Sequence, residues 1–422
     1  MTTDVEAPPP AKESPEKKED GFLTLFLKNL WSANTVTVTI LSIFLALVVG
    51  AVLIVISDSE VLSKFSYFTS RPSDALQSSW DLISGAYADL FKGAIFDPAS
   101  FQAWFNGTGT WQAAFGPVSE TLTYAAPLVF TGLAVAIAFR GGLFNIGGQG
   151  QAVMGCVFAG VAGFAFHLPP GLHLIVALLF GLIGGALWGF LPGFLKARTG
   201  AHEVITSIML NYTATLFLGW LILQKGVQDP ERSDAISKTI AHSAELPAMP
   251  DPLRVHLGIV IAVGATAGVA WLINRSSFGF ELRAVGVNPP AAKTAGMSVA
   301  KTYTMLMVVA GGLAGLGGAT QVLGTADKLT AQVAGNIGFD GLLVALLGRN
   351  KPWGTLFAAI LYGALRAGGN LMQVDVGISL ELVTVLQALI VIFIAAPALV
   401  KAIFQLRAAR SARLGASMAK GW

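Results

Sequence analysis

The chain has 422 residues, of which 54% are hydrophobic and only 12% are charged, and its mean hydropathy is +0.66. Soluble globular domains carry about 25% charged residues, so this composition excludes an ordinary soluble protein and predicts one that crosses a membrane several times. A net charge of +3 gives no indication of a nucleic-acid partner, and a single cysteine excludes an intrachain disulfide framework.

The first residues have no apolar pattern. Residues 1–20 are rich in proline and charge, a composition typical of disorder, and we predict that residues 1–30 form a disordered cytoplasmic tail. An apolar run at 36–56 follows. It is long enough for a first transmembrane helix, because about 20 apolar residues cross the hydrocarbon core.

Further apolar runs predict an all-α polytopic membrane protein with about ten transmembrane helices. The candidate spans are 36–56, 120–139, 143–166, 172–195, 203–224, 256–273, 303–323, 339–348, 352–370 and 380–397. The eighth is too short to span alone, so it either extends back into 330–338 or is a broken, re-entrant segment. Ten spans place both termini on the same side.

The distribution of Lys and Arg predicts that this side is the cytoplasm. With the N-terminus inside, two thirds of the 27 basic residues are cytoplasmic. The short loops at 196–198 and 348–352 and the basic tail at 401–422 all fall on that side, as the positive-inside rule requires.

Residues 57–119 form a long segment on the predicted outer side. Five of its apolar residues recur at helical spacing, namely Leu76, Trp80, Ile83, Tyr87 and Leu90. This spacing predicts an amphipathic helix, for which Ser73 is placed to act as the N-cap. We expect the helix to lie flat on the outer leaflet; packing against the helix bundle is the alternative.

Glycines at spacings of four predict close helix packing. Gly181, Gly185 and Gly189 lie on one face of the fourth candidate span, and Gly311 with Gly315 repeats the pattern in the seventh. Small residues at this spacing allow helix backbones to approach closely within a membrane.

Motifs for ATP hydrolysis and for metal binding are missing from the sequence. The dipeptide Gly-Lys does not occur, so there is no Walker A motif. There is no HExxH or GxSxG motif and no Cys/His spacing typical of a metal site. We therefore predict a chain that is not an enzyme and binds no metal or cofactor of its own.

The segment RGGLFNIGGQGQ, residues 140–151, places glycines and amides between two apolar runs. Four amides fall at predicted membrane depth: Asn145, Gln149, Gln151 and, in the fifth span, Asn211. Uncharged amides on irregular backbone suit the path of a neutral, hydrogen-bonding solute, because such backbone is tolerated in a membrane only beside protein or water. Interhelical hydrogen bonding by the same amides is the open alternative.

The predicted cytoplasmic loop 274–302 contains a short helix with its own caps. Asn288 is a natural N-cap, prolines follow in the first turn, and Gly296 ends the helix. We expect this helix, which includes Lys293, to be part of a docking element for a partner, in which Arg283 contacts carboxylates of the partner and Gly286 permits a backbone geometry that a side chain would block.

Five ordered motifs resemble the permease subunits of ABC importers, in the superfamily of branched-chain amino acid and ribose permeases. They are FRGGLFNIGGQGQ (139–151), AHEVITSIMLNY (201–212), FELRAVGVNPPAAKTAGM (280–297), GGLAGLGGA (311–319) and GFDGLLVALLGRNKPWG (338–354). The resemblance covers residues 120–400, and the first two motifs look like the nucleoside-uptake branch. That branch often has an acidic residue where this chain has Gln149, which affects the prediction of the substrate.

The resemblance implies a machine in the plasma membrane that imports a nucleoside. Its other parts would be a second permease subunit, a cytoplasmic ABC ATPase that uses the ATP and binds the docking element at 274–302, and an extracytoplasmic solute-binding lipoprotein. Two alternatives remain open: the same machine importing a simple sugar such as ribose, and a secondary transporter that works alone. The scarcity of acids in the membrane argues against the latter.

Overall fold

The computed structural model describes residues 35–404, and within that range the chain is helical without a strand. The helices are α1 (Thr35–Ser57), α2 (Ser59–Lys64), α3 (Pro72–Ala94), α4 (Pro98–Phe105), α5 (Trp111–Arg140), α6 (Gly148–Ala165), α7 (Leu172–Thr199), α8 (Glu203–Leu221), α9 (Gly258–Arg275), α10 (Ser277–Val287), α11 (Pro289–Thr294), α12 (Val299–Gln321), α13 (Ile337–Leu347), α14 (Pro352–Val376), α15 (Leu380–Ala395) and α16 (Pro397–Ile403). The all-α prediction is confirmed. The predicted tail at 1–30 and most of the tail at 401–422 lie outside the described residues.

Six of the described helices are long and apolar enough to cross a membrane: α1, α5, α7, α8, α9 and α12. A seventh results if α15 and α16, which meet at an angle of 88°, form one span. The predicted count of about ten is not confirmed by this criterion. One reason is that α13 has only 11 residues and is about 16 Å long, roughly half the hydrocarbon thickness.

The helix α12 lies at the centre of the bundle and packs against α5, α6 and α7. Its contact with α7 is made through the predicted glycines. A Cβ atom on Gly185 would overlap the Gly311 carbonyl, and one on Gly315 would overlap the Gly181 carbonyl. The glycine pattern therefore does what its spacing predicts: it removes side chains where two helix backbones touch.

The core of the fold is α5, which is buried along most of its membrane-spanning length. Large apolar side chains such as Phe130, Leu133 and Ile137 are fully buried against α9, α12, α13 and α14. The helix begins at Trp111, so the predicted domain boundary at residue 120 falls inside a continuous helix.

The predicted outer segment 57–119 is helical, and its main helix α3 packs on the bundle. A Cβ atom on Gly93 would stand 2.8 Å from the Leu371 side chain of α14, and the Tyr87 hydroxyl donates to the Leu47 carbonyl of α1 at 2.5 Å. The expectation that α3 lies flat on the leaflet is therefore wrong. The helix begins at Pro72, and Ser73 is not its cap, because the proline fixes the first turn one residue earlier.

Two breaks interrupt the bundle near its centre. We call residues 141–147, between α5 and α6, the broken segment; the third predicted span starts at Gly148 rather than at 143. The turn is possible because Gly142 has φ +76°. The second break is a π-helical turn, Val322–Ala326, followed by irregular chain at 327–336. Of the two alternatives for the eighth candidate span, the interrupted one is observed, because α13 is short and irregular chain precedes it.

Candidate functional site

The amides of Asn145 and Gln151 pair with each other at the end of the broken segment. The Asn145 amide donates to Gln151 Oε1 at 2.9 Å, and the Gln151 amide donates to Asn145 Oδ1 at 3.1 Å. Both side chains are 1% exposed. A reciprocal amide pair satisfies donor and acceptor together, so it holds the first turn of α6 against the segment that precedes it.

Gln149 joins α6 to the second break. Its side-chain NH₂ donates to the Gly335 carbonyl at 2.6 Å, and its Oε1 accepts from the Gly338 N–H at 2.9 Å. A Cβ atom on Gly338 would overlap the Gln149 backbone. The first turns of α6 and α13, each of which directly follows a break, are therefore in direct backbone contact, and the Gln149 amide satisfies the peptide groups of Gly335 and Gly338.

Asn211 connects α8 to the same region. Its Oδ1 accepts from the Gly150 N–H at 2.8 Å, and its NH₂ donates to the Ile146 carbonyl at 3.0 Å. An N–H in the first turn of a helix has no intrahelical partner, and Asn211 supplies one from a neighbouring helix.

The structure thus brings the four predicted amides together and buries all of them. Every amide has a donor contact and an acceptor contact within the chain. This arrangement is the interhelical hydrogen bonding of the alternative interpretation, while a role of the four amides in the solute path stays a prediction.

The loop 274–302 contains two helices, α10 and α11, where the sequence predicted one. Asn288 caps α11 as predicted, because its Oδ1 accepts from the Ala291 N–H at 3.1 Å. Gly296 ends that helix with φ +84°, and its N–H donates to the Lys293 carbonyl at 3.0 Å. Capping at both ends gives this six-residue helix a defined shape.

Gly286, near the end of α10, touches the start of the broken segment. A Cβ atom on Gly286 would stand 2.5 Å from the Arg140 carbonyl oxygen and 2.9 Å from the carbonyl carbon of Gly141. Gly286 is not among the residues with positive φ. Close approach of two backbones, which a side chain would block, is therefore the reason for glycine here, and not a positive φ.

A groove of about 640 Å³ separates α11 from the end of α7. Lys196 and Lys293 contribute its charged walls, and Pro290, Met297 and Tyr303 contribute apolar surface; we call it the lysine groove. Lys196 is paired with Glu203 at 2.8 Å, whereas Lys293 is exposed. The groove suits a segment that carries both an apolar and an acidic side chain. Arg283 is half-buried on α10 and is not part of its wall.

A second cavity, of about 160 Å³, lies between α5, the end of α12, the segment before α13, and α14. Seven side chains give it a polar lining: Tyr124, Gln321, Gln332, Asn336, Asp340, Tyr362 and Arg366. We call it the polar cavity. The Tyr362 hydroxyl donates to Asp340 Oδ1 at 3.3 Å, and Tyr124 accepts from the Asn370 amide at 2.9 Å.

The sequence interpretation missed Asp340 and Arg366 as functional candidates. The available signal was an acid in the apolar run GFDGLLVALL and an arginine in LYGALRAGGNL. Charged residues inside membrane segments are costly and mark functional sites by default. In the part of the chain that the structure describes, no group of three or more His, Cys, Asp or Glu side chains could hold a metal ion.

Comparison with known proteins identifies the family. The sequence profile of a family described as the permease component of the branched-chain amino acid transport system matches residues 118–395. A guanosine ABC transporter permease protein of Bacillus subtilis (strain 168), NupP, is 41% identical over 290 residues, which are 68% of this chain and 83% of that protein.

Two further relatives have different named substrates. A nucleoside ABC transporter permease protein of Lactococcus lactis subsp. cremoris (strain MG1363), NupB, is 40% identical over 288 residues, 66% of this chain and 79% of that protein. A glucose ABC transporter permease protein of Haloferax volcanii, TsgB13, is 31% identical over 297 residues, 68% and 77% of the two chains. No solved structure matches. With its apolar helices, the chain is a multi-pass protein of the plasma membrane, and it belongs to the family of permease components of the branched-chain amino acid transport system.

Proposed function

We propose that this chain is the transmembrane subunit of an ATP-driven importer and forms part of the translocation path for a nucleoside. The observation that carries the proposal is its similarity to two permeases named for nucleosides, at 41% and 40% identity over about four fifths of their length. The relative named for glucose is 31% identical, which makes a sugar the second candidate cargo.

Family membership supports the partners that the importer would need. They are a second permease subunit, a solute-binding lipoprotein outside and an ABC ATPase inside, which would use the ATP. The lysine groove is the site at which we place the ATPase. It contains an exposed cation on a capped helix, and α10, which precedes that helix, touches the broken segment.

This contact suggests how a conformational change of the ATPase would be transmitted to the solute path. A displacement of α10 must move the backbone at residues 140–142, because those atoms are in contact with Gly286. The broken segment leads directly into α6. Packed interfaces have discrete arrangements rather than a continuous range of them, so a shift at α10 would switch the position of α6.

The test is uptake by the complete complex in proteoliposomes that contain ATP. We expect a labelled nucleoside to accumulate and unlabelled nucleosides to compete, whereas ribose and glucose in large excess do not. Competition by ribose instead of nucleosides would favour the sugar alternative. Uptake driven by an ion gradient without ATP, from this chain alone, would favour a secondary transporter and contradict the proposal.

A further inference from the structure

With the turn at 348–352 on the cytoplasmic surface, as the positive-inside rule predicts, the polar cavity lies at membrane depth. Asp340 precedes the turn at Gly348 by eight residues, and Arg366 follows Pro352 by 14 residues. At about 1.5 Å per residue these positions are roughly 12 Å and 21 Å along their helices from the turn that joins α13 to α14. Both distances fall within a hydrocarbon core about 30 Å thick.

The open side of the polar cavity cannot face lipid. Asn336 and Arg366 are exposed in the isolated chain, and Asp340 is partly exposed. Charged side chains at membrane depth face a water-filled passage or another protein surface, because their transfer into hydrocarbon is costly. This face of the chain therefore lines an aqueous path or the contact with another subunit.

Polar groups in the polar cavity are free, unlike the buried amides around the broken segment. Among residues 35–404, the side chains of Gln321, Asn336 and Arg366 have no hydrogen-bond partner, and no carboxylate in that range lies within 4.0 Å of the Arg366 guanidinium. Free donors and acceptors that converge on one concave surface are what a polar ligand requires.

The lining has the chemistry of a site for a neutral, planar, polar solute. One carboxylate and one guanidinium balance in charge, so the polar cavity favours neither an anion nor a cation. The amides of Gln321 and Asn336 offer paired donors and acceptors of the kind that recognise base edges. Tyr124 and Tyr362 add aromatic surface, and Asp340 can accept from sugar hydroxyls or ring N–H groups.

We infer that the polar cavity is this subunit's half of a cargo-recognition site, with a nucleoside as the cargo. The inference rests on the proposed function and deepens it. A volume of about 160 Å³ is below the range of roughly 300–1,000 Å³ for complete ligand pockets. The polar cavity therefore holds one part of the solute, and the facing surface completes the site.

The first test uses side chains that the fold does not need. Gln321→Ala and Asn336→Ala remove amides without a protein partner, so assembly of the complex should not change. Nucleoside uptake should fall about two- to tenfold for each, as expected for one neutral hydrogen bond. Asp340→Asn should reduce nucleoside uptake further, about tenfold or more, because a charged acceptor is lost.

The matched control for Asp340→Asn is Asp375→Asn. It makes the same charge change on the exposed end of α14 outside the polar cavity and should leave uptake unchanged.

The second test measures access directly. The single cysteine of this chain, Cys156, is fully buried, so a cysteine introduced by Asn336→Cys is the only accessible thiol of this chain. We expect a membrane-impermeant thiol reagent to label it, and nucleoside to slow the labelling. Phe44→Cys, on an exposed apolar stripe of α1, should remain unlabelled.

Two results would overturn the inference while the proposed function stands. One is wild-type nucleoside uptake by each of the three single variants, Gln321→Ala, Asn336→Ala and Asp340→Asn. The other is labelling of Asn336→Cys at a rate that nucleoside does not slow. If the unmodified complex transports no nucleoside, the proposed function fails first, and the cargo assignment fails with it.

Discussion

Gly286 and Arg140 are in backbone contact: a Cβ atom on Gly286 would stand 2.5 Å from the Arg140 carbonyl oxygen. The contact joins the end of α10 to the end of α5, where the broken segment begins. A partner that binds α11 and moves α10 therefore acts on the segment that contains Asn145, without an intervening side chain that could absorb the motion.

The first prediction concerns this contact. Any side chain at position 286 must push the two backbones apart. We expect Gly286→Ala to lower the free energy of unfolding by about 1–3 kcal/mol, as overpacking does. Thermal unfolding of the purified permease in detergent measures it. Gly268→Ala is the control, because nothing lies within 4 Å of a Cβ atom there. Equal stability of the two variants would contradict the close contact.

The second prediction concerns the lysine groove. Lys293 is exposed and points its charge at the surface where we place the ATPase. Lys293→Glu should leave the permease folded and reduce cargo-stimulated ATP hydrolysis several-fold, since one charge-assisted contact becomes a repulsive one. The effect of Arg283→Glu on cargo-stimulated ATP hydrolysis should be harder to interpret, because Arg283 is half-buried and its substitution also changes packing within the permease. The control is Lys225→Glu in an exposed loop distant from the groove. Undiminished stimulation of ATP hydrolysis in Lys293→Glu would show that the ATPase docks on a different surface.

The third prediction concerns the amide network. If Asn211 contacted the solute, one of the two interpretations that the sequence leaves open, alanine there would reduce uptake while assembly stayed intact. The structure predicts a different result: Asn211→Ala leaves the Gly150 N–H and the Ile146 carbonyl buried without partners, which costs about 1–3 kcal/mol. The melting temperature of the permease should therefore fall, and the yield of complex with it. Thr213→Ala, exposed on the same helix, should melt like the unmodified chain. Normal stability of Asn211→Ala with lost uptake would instead support direct cargo contact.

The fourth prediction compares two glycines on α12. Gly315→Ala places a Cβ atom 2.9 Å from the Gly185 Cα and over the Gly181 carbonyl, whereas Gly312→Ala places one 3.5 Å from the Leu182 side chain, an ordinary contact. We expect Gly315→Ala to reduce the yield of folded permease and Gly312→Ala to have little effect on it. Size-exclusion chromatography of the solubilised variants gives the comparison. Similar monodisperse yields from both would show that α7 and α12 do not pack as tightly as described.

The fifth prediction concerns pH and His256, which lies before α9 and is 2% exposed. Burial, with a smaller effect of Arg254, lowers the pKa of His256 from 6.5 to about 4. Its Nδ1 accepts from the Gly258 N–H at 3.1 Å, so the neutral ring carries its proton on Nε2, against Gly324. Between pH 6.5 and about 4 the unfolded chain binds a proton that the folded chain does not. Stability should therefore fall as the pH drops through this window, by up to about 3 kcal/mol.

Unfolding temperatures between pH 7 and pH 5 measure this effect. His256→Gln should flatten the dependence on pH, whereas His242→Gln, at an exposed histidine, should keep it. An unchanged slope in His256→Gln would assign the pH dependence to other groups.

Local features of the sequence predicted much of the fold. Long apolar runs predicted the helices, the glycine spacing predicted close helix packing in α7 and α12, and Asn288 and Gly296 predicted both ends of α11. Each of these depends on residues within a turn or two along the chain, or on a composition that lipid imposes. The sequence also predicted the four amides Asn145, Gln149, Gln151 and Asn211 as a group at membrane depth.

Only the tertiary structure decided which of those polar residues are free. Gln149 is satisfied by Gly335, 186 residues away, and Asn211 satisfies Gly150 from a distance of 61 residues. Partners so far apart cannot be read from spacing, so the sequence did not show that these amides have hydrogen-bond partners within the chain. Asp340 and Arg366, passed over in apolar runs, line an open cavity instead. Hydrogen-bond satisfaction depends on which helices meet, and that is settled by packing of the whole bundle rather than by any segment alone.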